Sequence, residues 1–427
     1  MVATGLKIIL RTLTGALFPA ILVMRRVAGI RDRSIRHCLD GVSSRRIGAE
    51  PHKRPVSHTV TEMTMRTRSA IFYEAQQPIS VEDVELDGPK AGEVLVRVVA
   101  TGACHSDYHA VDGHIKSATV PMVMGHEAAG VVEEVGQGVT AFGPGDHVVF
   151  AIRPMCGKCK YCSSNRWNLC NGIVKEPGLM VDGTSRFKKL DGSTLYHNLA
   201  TFSKHTVVPE WNLVKVQNDI PIEKLASIGC AVVTGVGAVV NTAQVKEGST
   251  VAVWGCGGVG LNVIQGAVIA GASKIIAIDV ADSKFPFAKK FGATHTVDAS
   301  KNDPVEAVHE LTGGGADYTF EVIGKPPTLR QAYDSTCPGG TACMVGVPPT
   351  GGEVSIPMGP LFLDRKLIGS SAGTGSPRVD FPWFIELYRQ GRLKLDELQS
   401  RERPLDEINE AFEDMLSGEV ARTIVRP

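Results

Sequence analysis

Four cysteines stand close together in the chain: Cys156, Cys159, Cys162 and Cys170, in a C-x2-C-x2-C-x7-C pattern. Thiolates this near in sequence can surround one tetrahedral zinc at Zn–S distances of about 2.3 Å and leave no coordination position open, as a structural site does. Lys158, Lys160 and Arg166 lie among them and offset the charge. In a small secreted protein such cysteines would read as disulfides. In a chain of 427 residues metal ligation is the better reading, and with it a reducing compartment. A second chemical signal is "VAVWGCGGVG", where Gly255, Gly257 and Gly260 have G-x-G-x-x-G spacing with Gly258 between them. The first glycine allows a tight turn, the second lets backbone approach a pyrophosphate, and the third lets a helix pack on its strand. Asp279 follows, 19 residues beyond Gly260, where a carboxylate can accept hydrogen bonds from ribose hydroxyls and repel a 2′-phosphate. NAD is therefore expected rather than NADP, with Lys284 one turn onward also within reach of the ribose.

These motifs need elements to hold them. From Ser69 to about Cys230, short alternating segments such as "GEVLVRVVATGAC", "GHEAAGVVEEVGQGV" and "GPGDHVVF" are broken by glycine, which predicts a compact β domain. From about Thr250 the period changes. "STVAVWG" reads as an apolar strand and "GVGLNVIQGAVIAG" as a helix. "SKIIAID", "THTVD", "ADYTFEVIG" and "TACMVGV" then read as strands, with a helical "SKFPFAKKFG" after the first of them. Strands alternating with helices imply a doubly wound parallel sheet, so the fold class is α/β with a second, mostly β domain. Near the C-terminus "LDEINEAFEDMLSG" places Ile408, Phe412 and Met415 on one helical stripe. Cys256, Cys337 and Cys343 read as spacer or core residues.

Composition narrows the function. Lys plus Arg equals Asp plus Glu at 45 each, so no global basic field attracts nucleic acid. The longest apolar stretch, Thr12 to Met24, is 13 residues and flanked by arginines, shorter than the roughly 18 that a membrane-spanning helix needs. Residues 1–65 hold eleven Lys or Arg against four acids, so they read either as an upstream extension ahead of Met63 and Met65 or as a transit peptide. The protein is expected in the cytoplasm on the first reading and in an organelle on the second. His37, Cys38, His52 and His58 in that stretch read as chance scatter. A zinc-ribbon binding module would account for the cysteines but leaves the nucleotide loop unexplained.

Spacing alone does not join Cys104, His126 and Cys230. A resemblance does. From Arg68 onward the chain is similar to the zinc-dependent medium-chain alcohol dehydrogenases, especially the liver-type group with its long structural-zinc loop. The resemblance rests on "GACHSDYH", "GHEAAGVVEEVG", "CGKCKYC", "GTSRF", "ATFSKHTVV", "GCAVVTG", "GCGGVG", "VGVPP" and "ARTIV", in that order. It implies a GroES-like catalytic domain over 66–231 and 372–427 and a Rossmann domain over 232–371. It also implies two Zn2+ per chain, one structural and one catalytic, the latter held by Cys104, His126 and Cys230 with a fourth position free. Asp107 and Glu127 fall where the family orients or tunes those ligands. Ser106 and His109 fall on a proton relay, a hydroxyl at the substrate oxygen and an imidazole reaching solvent. His105 and Arg422 fall against the pyrophosphate, Thr234 against the nicotinamide, and Val347 among the cofactor contacts. The implied activity is reversible oxidation of a primary or secondary alcohol by NAD, in a homodimer built through the nucleotide domains, with a tetramer possible.

Two departures from the family bear on substrate. Val174 and Lys175 stand near where the branch that oxidises the thiol adduct of formaldehyde places an arginine for the adduct carboxylate. Ile152 stands where an aromatic side chain often faces the substrate, which predicts a wider pocket. The formaldehyde-adduct branch, and a variant that retains its NAD permanently, remain the alternatives.

Overall fold

In the computed structural model the described residues are 64–114, 119–172 and 176–427; the basic N-terminal stretch up to residue 63 and the Val174–Lys175 departure lie outside them. Two kinds of sheet result from the two sequence periods. Six parallel strands form one sheet whose spatial order is His295–Asp298, Lys274–Asp279, Thr250–Trp254, Ala316–Glu321, Thr336–Met344 and Lys366–Gly369. In chain order that is third, second, first, fourth, fifth, sixth, the doubly wound order with its reversal beside the first strand. Val251, Ala252, Val253, Ile276 and Ala277 in the central strands are fully buried, as expected of a sheet covered by helices on both faces.

The helix Gly258–Ile269 shows why the turn after the first strand is glycine-rich. Gly255 has φ +96°, a left-handed conformation that disfavours other residues. A Cβ on Gly260 would lie 1.8 Å from the Gly255 carbonyl oxygen, so helix and strand can meet only without a side chain there.

The β part holds a five-stranded closed barrel and a larger, mainly antiparallel sheet. In the larger sheet the strand Glu93–Gly102 lies between Ala128–Val135 and His205–Pro209, and Thr423–Arg426 pairs with its end. The C-terminal helix Ile408–Ser417 covers the barrel. Ile408 and Phe412 are buried on one stripe, and the Phe412 ring sits 6.0 Å from Phe202 and 5.8 Å from Tyr108. Each such apolar side chain contributes roughly 1.5–3 kcal/mol on burial.

Two sequence expectations shift. The first strand runs Thr64–Phe72, so Thr64 and Met65 leave the expected extension because they pair with Asp87 and Leu86. Cys343 is fully buried, but Cys337 is not a core residue: the strand pairing is irregular between Ala316 and Tyr318, and the Cys337 thiol turns outward toward Asp317. No single described helix is long and apolar enough to cross a membrane; one bent pair, Ile222–Gly229 with Ala231–Ala243, passes by length and composition. Most of that pair's apolar side chains are in the protein core.

Candidate functional site

Strand register assembles the distant residues. Cys104 caps the helix His105–Val111 directly after the strand Glu93–Gly102. The antiparallel partner strand begins at Ala128 opposite Thr101, so His126 and Glu127 arrive at the same end of the sheet. Thr423–Arg426 runs antiparallel on the other side with Ile424 opposite Gly102, which brings Arg422 level with Cys104. Cys230 comes from elsewhere, at the junction between Ile222–Gly229 and the helix Ala231–Gly237. That junction packs against the strand His147–Phe150 so closely that a Cβ on Gly229 would lie 2.0 Å from the Phe150 carbonyl oxygen.

The result is a buried pocket in which Cys104, His126, Glu127 and Cys230 each offer a ligand atom, all within 4.8 Å of one another. The two sulfurs are 3.9 Å apart. Tetrahedral bonds of about 2.3 Å place two sulfurs about 3.8 Å apart. His126 Nδ1 lies 3.0 Å from Asp107 Oδ1, while its Nε2 is buried with no hydrogen-bond partner among the described residues. A buried polar nitrogen left unpaired is costly, and a carboxylate on the opposite ring nitrogen is how metal-binding imidazoles are aimed. The residues therefore fit a zinc ion. The contact between the two sulfurs holds the Cys104 thiol well below its usual range against the effect of burial, and the same contact together with burial pushes Cys230 up. Burial disfavours a charged His126, but Asp107 and then Cys104 outweigh it and raise its pKa well above the ordinary value. Burial raises Asp107.

Glu127 is fully buried and forms a bidentate ion pair with Arg422, with Nε donating to Oε1 at 2.9 Å and Nη2 to Oε2. Burial pushes Glu127 up and Arg422 opposes that. The sequence gives Glu127 and Arg422 separate expected tasks, yet the structure makes them one unit. Arg422 also reaches the glycine loop, since a Cβ on Gly258 would lie 3.0 Å from its Nη1.

The nucleotide end is equally open to test. Gly257, which caps the helix Gly258–Ile269, has no heavy atom within 4 Å of where a Cβ would stand. That space, at a helix N-terminus without a side-chain cap, suits a pyrophosphate. Asp279 ends its strand buried; its Oδ2 accepts from Cys256 N at 2.8 Å, and Lys284 Nζ lies 3.3 Å from both carboxylate oxygens. Lys284 thus contacts the carboxylate it was expected to stand beside. Thr234 is half-buried one turn past Cys230, and Val347 is exposed after its strand. His105 is exposed at the first position of its helix. Ser106 and His109 are half-buried three residues apart on the same helix.

The four-cysteine lobe shows sulfur separations of 3.9 Å for Cys156–Cys162 and 4.0 Å for Cys159–Cys170. These are about twice the roughly 2.05 Å of a disulfide and match a tetrathiolate. Backbone N–H groups point at the sulfurs: Cys159 N to Cys156 Sγ at 3.3 Å, Cys162 N to Cys159 Sγ at 3.5 Å, Cys156 N to Cys170 Sγ at 3.4 Å. The N–H of Cys162 lowers Cys159 to about 6, whereas burial raises Cys162 to about 12. A Cβ on Gly172 would fall 2.8 Å from Cys156 Sγ, so the loop closes tightly on the cluster.

A cleft of about 500 Å³ opens beside His126 and Ser106, lined among the described residues mainly by apolar side chains including Met122, Ile152, Leu179, Leu199 and Trp211. Ile152 lies where the sequence expected it. Arg153 and His197 also line the cleft and were not singled out from sequence, because a single Arg or His carries no periodic or spacing signal. Arg153 is exposed and makes no ion pair with the described residues. His197 is buried, accepts from Arg186 N at Nε2 (3.3 Å), and has Nδ1 3.2 Å from the Asn198 carbonyl. Burial lowers its pKa to about 4. It is thus neutral when folded and must protonate at acid pH. Its contribution is complete above the unfolded value of about 6.5 and is lost as pH falls toward 4, about 3 kcal/mol in all. Urea melts of wild type are expected to lose that increment between pH 6.5 and 4, and His197→Asn to lose clearly less; parallel curves would refute the assignment.

Fold and site together define a two-part chain with a dinucleotide-type sheet and two thiolate-rich pockets that could hold a metal ion. Residues 90–218 match the family described as alcohol dehydrogenase GroES-like domain, and 258–390 match zinc-binding dehydrogenase. The S-(hydroxymethyl)glutathione dehydrogenase of Paracoccus denitrificans is 42% identical over 373 residues, covering 84% of this chain and all of that one. The alcohol dehydrogenase zinc-binding domain protein of Burkholderia ambifaria superposes with a TM-score of 0.81 at 36% identity, over 85% of this chain and 99% of that one. Benzyl alcohol dehydrogenase from Acinetobacter calcoaceticus gives 0.79 at 32% identity, with the same coverage of both chains. The chain belongs to the zinc-dependent medium-chain alcohol dehydrogenase family.

Proposed function

We propose that this chain is an NAD-dependent zinc alcohol dehydrogenase that interconverts a primary or secondary alcohol with its aldehyde or ketone and carries one catalytic and one structural zinc. The observation that supports this most is the convergence of Cys104, His126 and Cys230 beside a mostly apolar cleft that His126 itself lines. Zinc, when bound, supplies a Lewis acid that makes a hydroxyl acidic near neutrality, and NAD supplies the hydride acceptor. The protein's part is positioning and proton transfer. Asp107 holds the His126 ring in one orientation. Glu127 and Arg422 neutralise each other between the thiolates and the glycine loop. Ser106 lines the cleft and can take the substrate hydroxyl proton; His109, one turn later on the same helix, can pass it outward. Thr234 follows Cys230 by one turn and would be among the residues that hold the nicotinamide.

One observation favours a second reading. Arg153, which makes no ion pair among the described residues, brings its guanidinium to the cleft, suited to a carboxylate on the substrate. The Paracoccus relative carries the name S-(hydroxymethyl)glutathione dehydrogenase. Absorbance at 340 nm over a panel of neutral alcohols, and over formaldehyde with and without glutathione, separates the two. Turnover of formaldehyde only with the thiol, falling about tenfold or more in Arg153→Gln, selects the adduct reading. Turnover of neutral alcohols unaffected by that change selects the first. A zinc-loaded chain inert to both sets would sink the reading altogether.

The homodimer is proposed on the exposed edge strand Lys366–Gly369 and its apolar neighbours Met358 and Phe362, 84% and 89% exposed. Light scattering should give twice the chain mass; a monomer would refute it.

A further inference from the structure

The helix that starts at Cys104 ends in a second cluster of ligand-type residues. His109, Asp112 and His114 offer three ligand atoms within 4.8 Å of one another. Their arrangement is restrained. Asp112 Oδ1 accepts a hydrogen bond from the His114 backbone N–H at 2.8 Å, and the His109 and His114 rings stack with centroids 4.8 Å apart. Asp112 Oδ2 stands 3.6 Å from His109 Nδ1. That is too long for a hydrogen bond but near the roughly 3.4 Å that two ligands at about 2.1 Å from one tetrahedral ion would show. His109 Nδ1 is also shielded from solvent and has no hydrogen-bond partner among the described residues. The neighbouring His105 ring, 6.1 Å from His109, is one shell further out. Two imidazoles and one carboxylate, with positions left for water, form a donor set suited to zinc and the later first-row divalent ions and poorly suited to calcium or magnesium.

We propose that His109, Asp112 and His114 form a third metal site, exchangeable and selective for zinc-like divalent cations, whose occupation withdraws His109 from proton transfer. The first part goes beyond the proposed dehydrogenase activity; the inhibitory part rests on it, because only there does His109 carry a proton. The site differs from the other two in having no thiolate, only two imidazoles and one carboxylate, so it binds more weakly than either thiolate site and fills last. Zinc would therefore act on the enzyme twice, first as a resident ion and at higher concentration as an inhibitor.

The test uses the full zinc-loaded chain. After equilibration with graded free Zn2+, elemental analysis should show a third equivalent, absent from His114→Ala and Asp112→Asn, both of which should keep the first two. Wild-type turnover should fall about tenfold or more as the third equivalent binds, in line with loss of a general base. His114→Ala should keep its basal rate and resist that fall. A third equivalent that persists in both variants, or none in wild type, overturns the site. A third equivalent that depends on His114 yet leaves turnover unchanged overturns the inhibition. A chain with no alcohol-dependent NADH formation at two equivalents would instead count against the dehydrogenase reading, while the metal titration still reports on the site.

Discussion

Cys104→Ser is expected to lower kcat/KM by about 10⁴-fold, equivalent to roughly 5 kcal/mol of transition-state stabilisation. The reason is the composition of the pocket. Cys104 supplies the sulfur held below its usual range, 3.9 Å from its partner sulfur and in the same group as the unpaired His126 nitrogen. A hydroxyl of ordinary pKa cannot replace that charge, and its shorter reach misplaces the donor. Elemental analysis should find about one zinc per chain instead of two, and thermal unfolding should change little, because the surrounding β-sheet pairing does not depend on the sulfur. Near-wild-type turnover with the serine in place would remove this pocket from the mechanism. Retention of two equivalents of zinc with activity lost would reassign Cys104 from ligand to another role.

Cys159→Ala should produce the opposite pattern. The segment Cys156–Cys170 has a four-residue helix, one 3-10 turn and few apolar side chains, so it has little core of its own. What holds it are four sulfurs and the N–H groups that point at them. Removing one thiolate leaves three that repel one another and lowers metal affinity steeply, since binding and local folding are one process there. Stability is expected to drop by about 4 kcal/mol or more, in the range where loss of a metal site belongs. The melting temperature should fall, protease should cut between residues 156 and 172, and one zinc should be lost while the Cys104 pocket keeps its own. A variant that melts like wild type and resists protease would show that the cluster is not what orders the lobe.

How much of this was legible beforehand depended on whether the relevant contacts are local. The thiolate lobe was, because Cys156, Cys159, Cys162 and Cys170 lie within one short loop and their spacing already limits what they can surround. The glycine turn was legible for the same reason: Gly255, Gly257 and Gly260 act on backbone only a few residues away, and the short Gly260–Gly255 approach is the steric fact behind the pattern. Cys104, His126 and Cys230 were not joined by spacing, and the resemblance to a family was needed to group them. Their meeting depends on antiparallel register, Thr101 opposite Ala128, and on a separate junction packed against Phe150. Such a pairing has no trace in local periodicity.

The sequence by itself determined the thiolate cluster and the dinucleotide turn, since both act over a few residues, and through its resemblance to a family it pointed to the class of chemistry. Only the tertiary structure decided the rest. It coupled Glu127 to Arg422, turned Cys337 outward, buried His197 in its neutral form, placed Arg153 at the cleft and drew His109, Asp112 and His114 together. Each of those outcomes depends on desolvation or on side-chain direction, and both are properties of packing rather than of order along the chain.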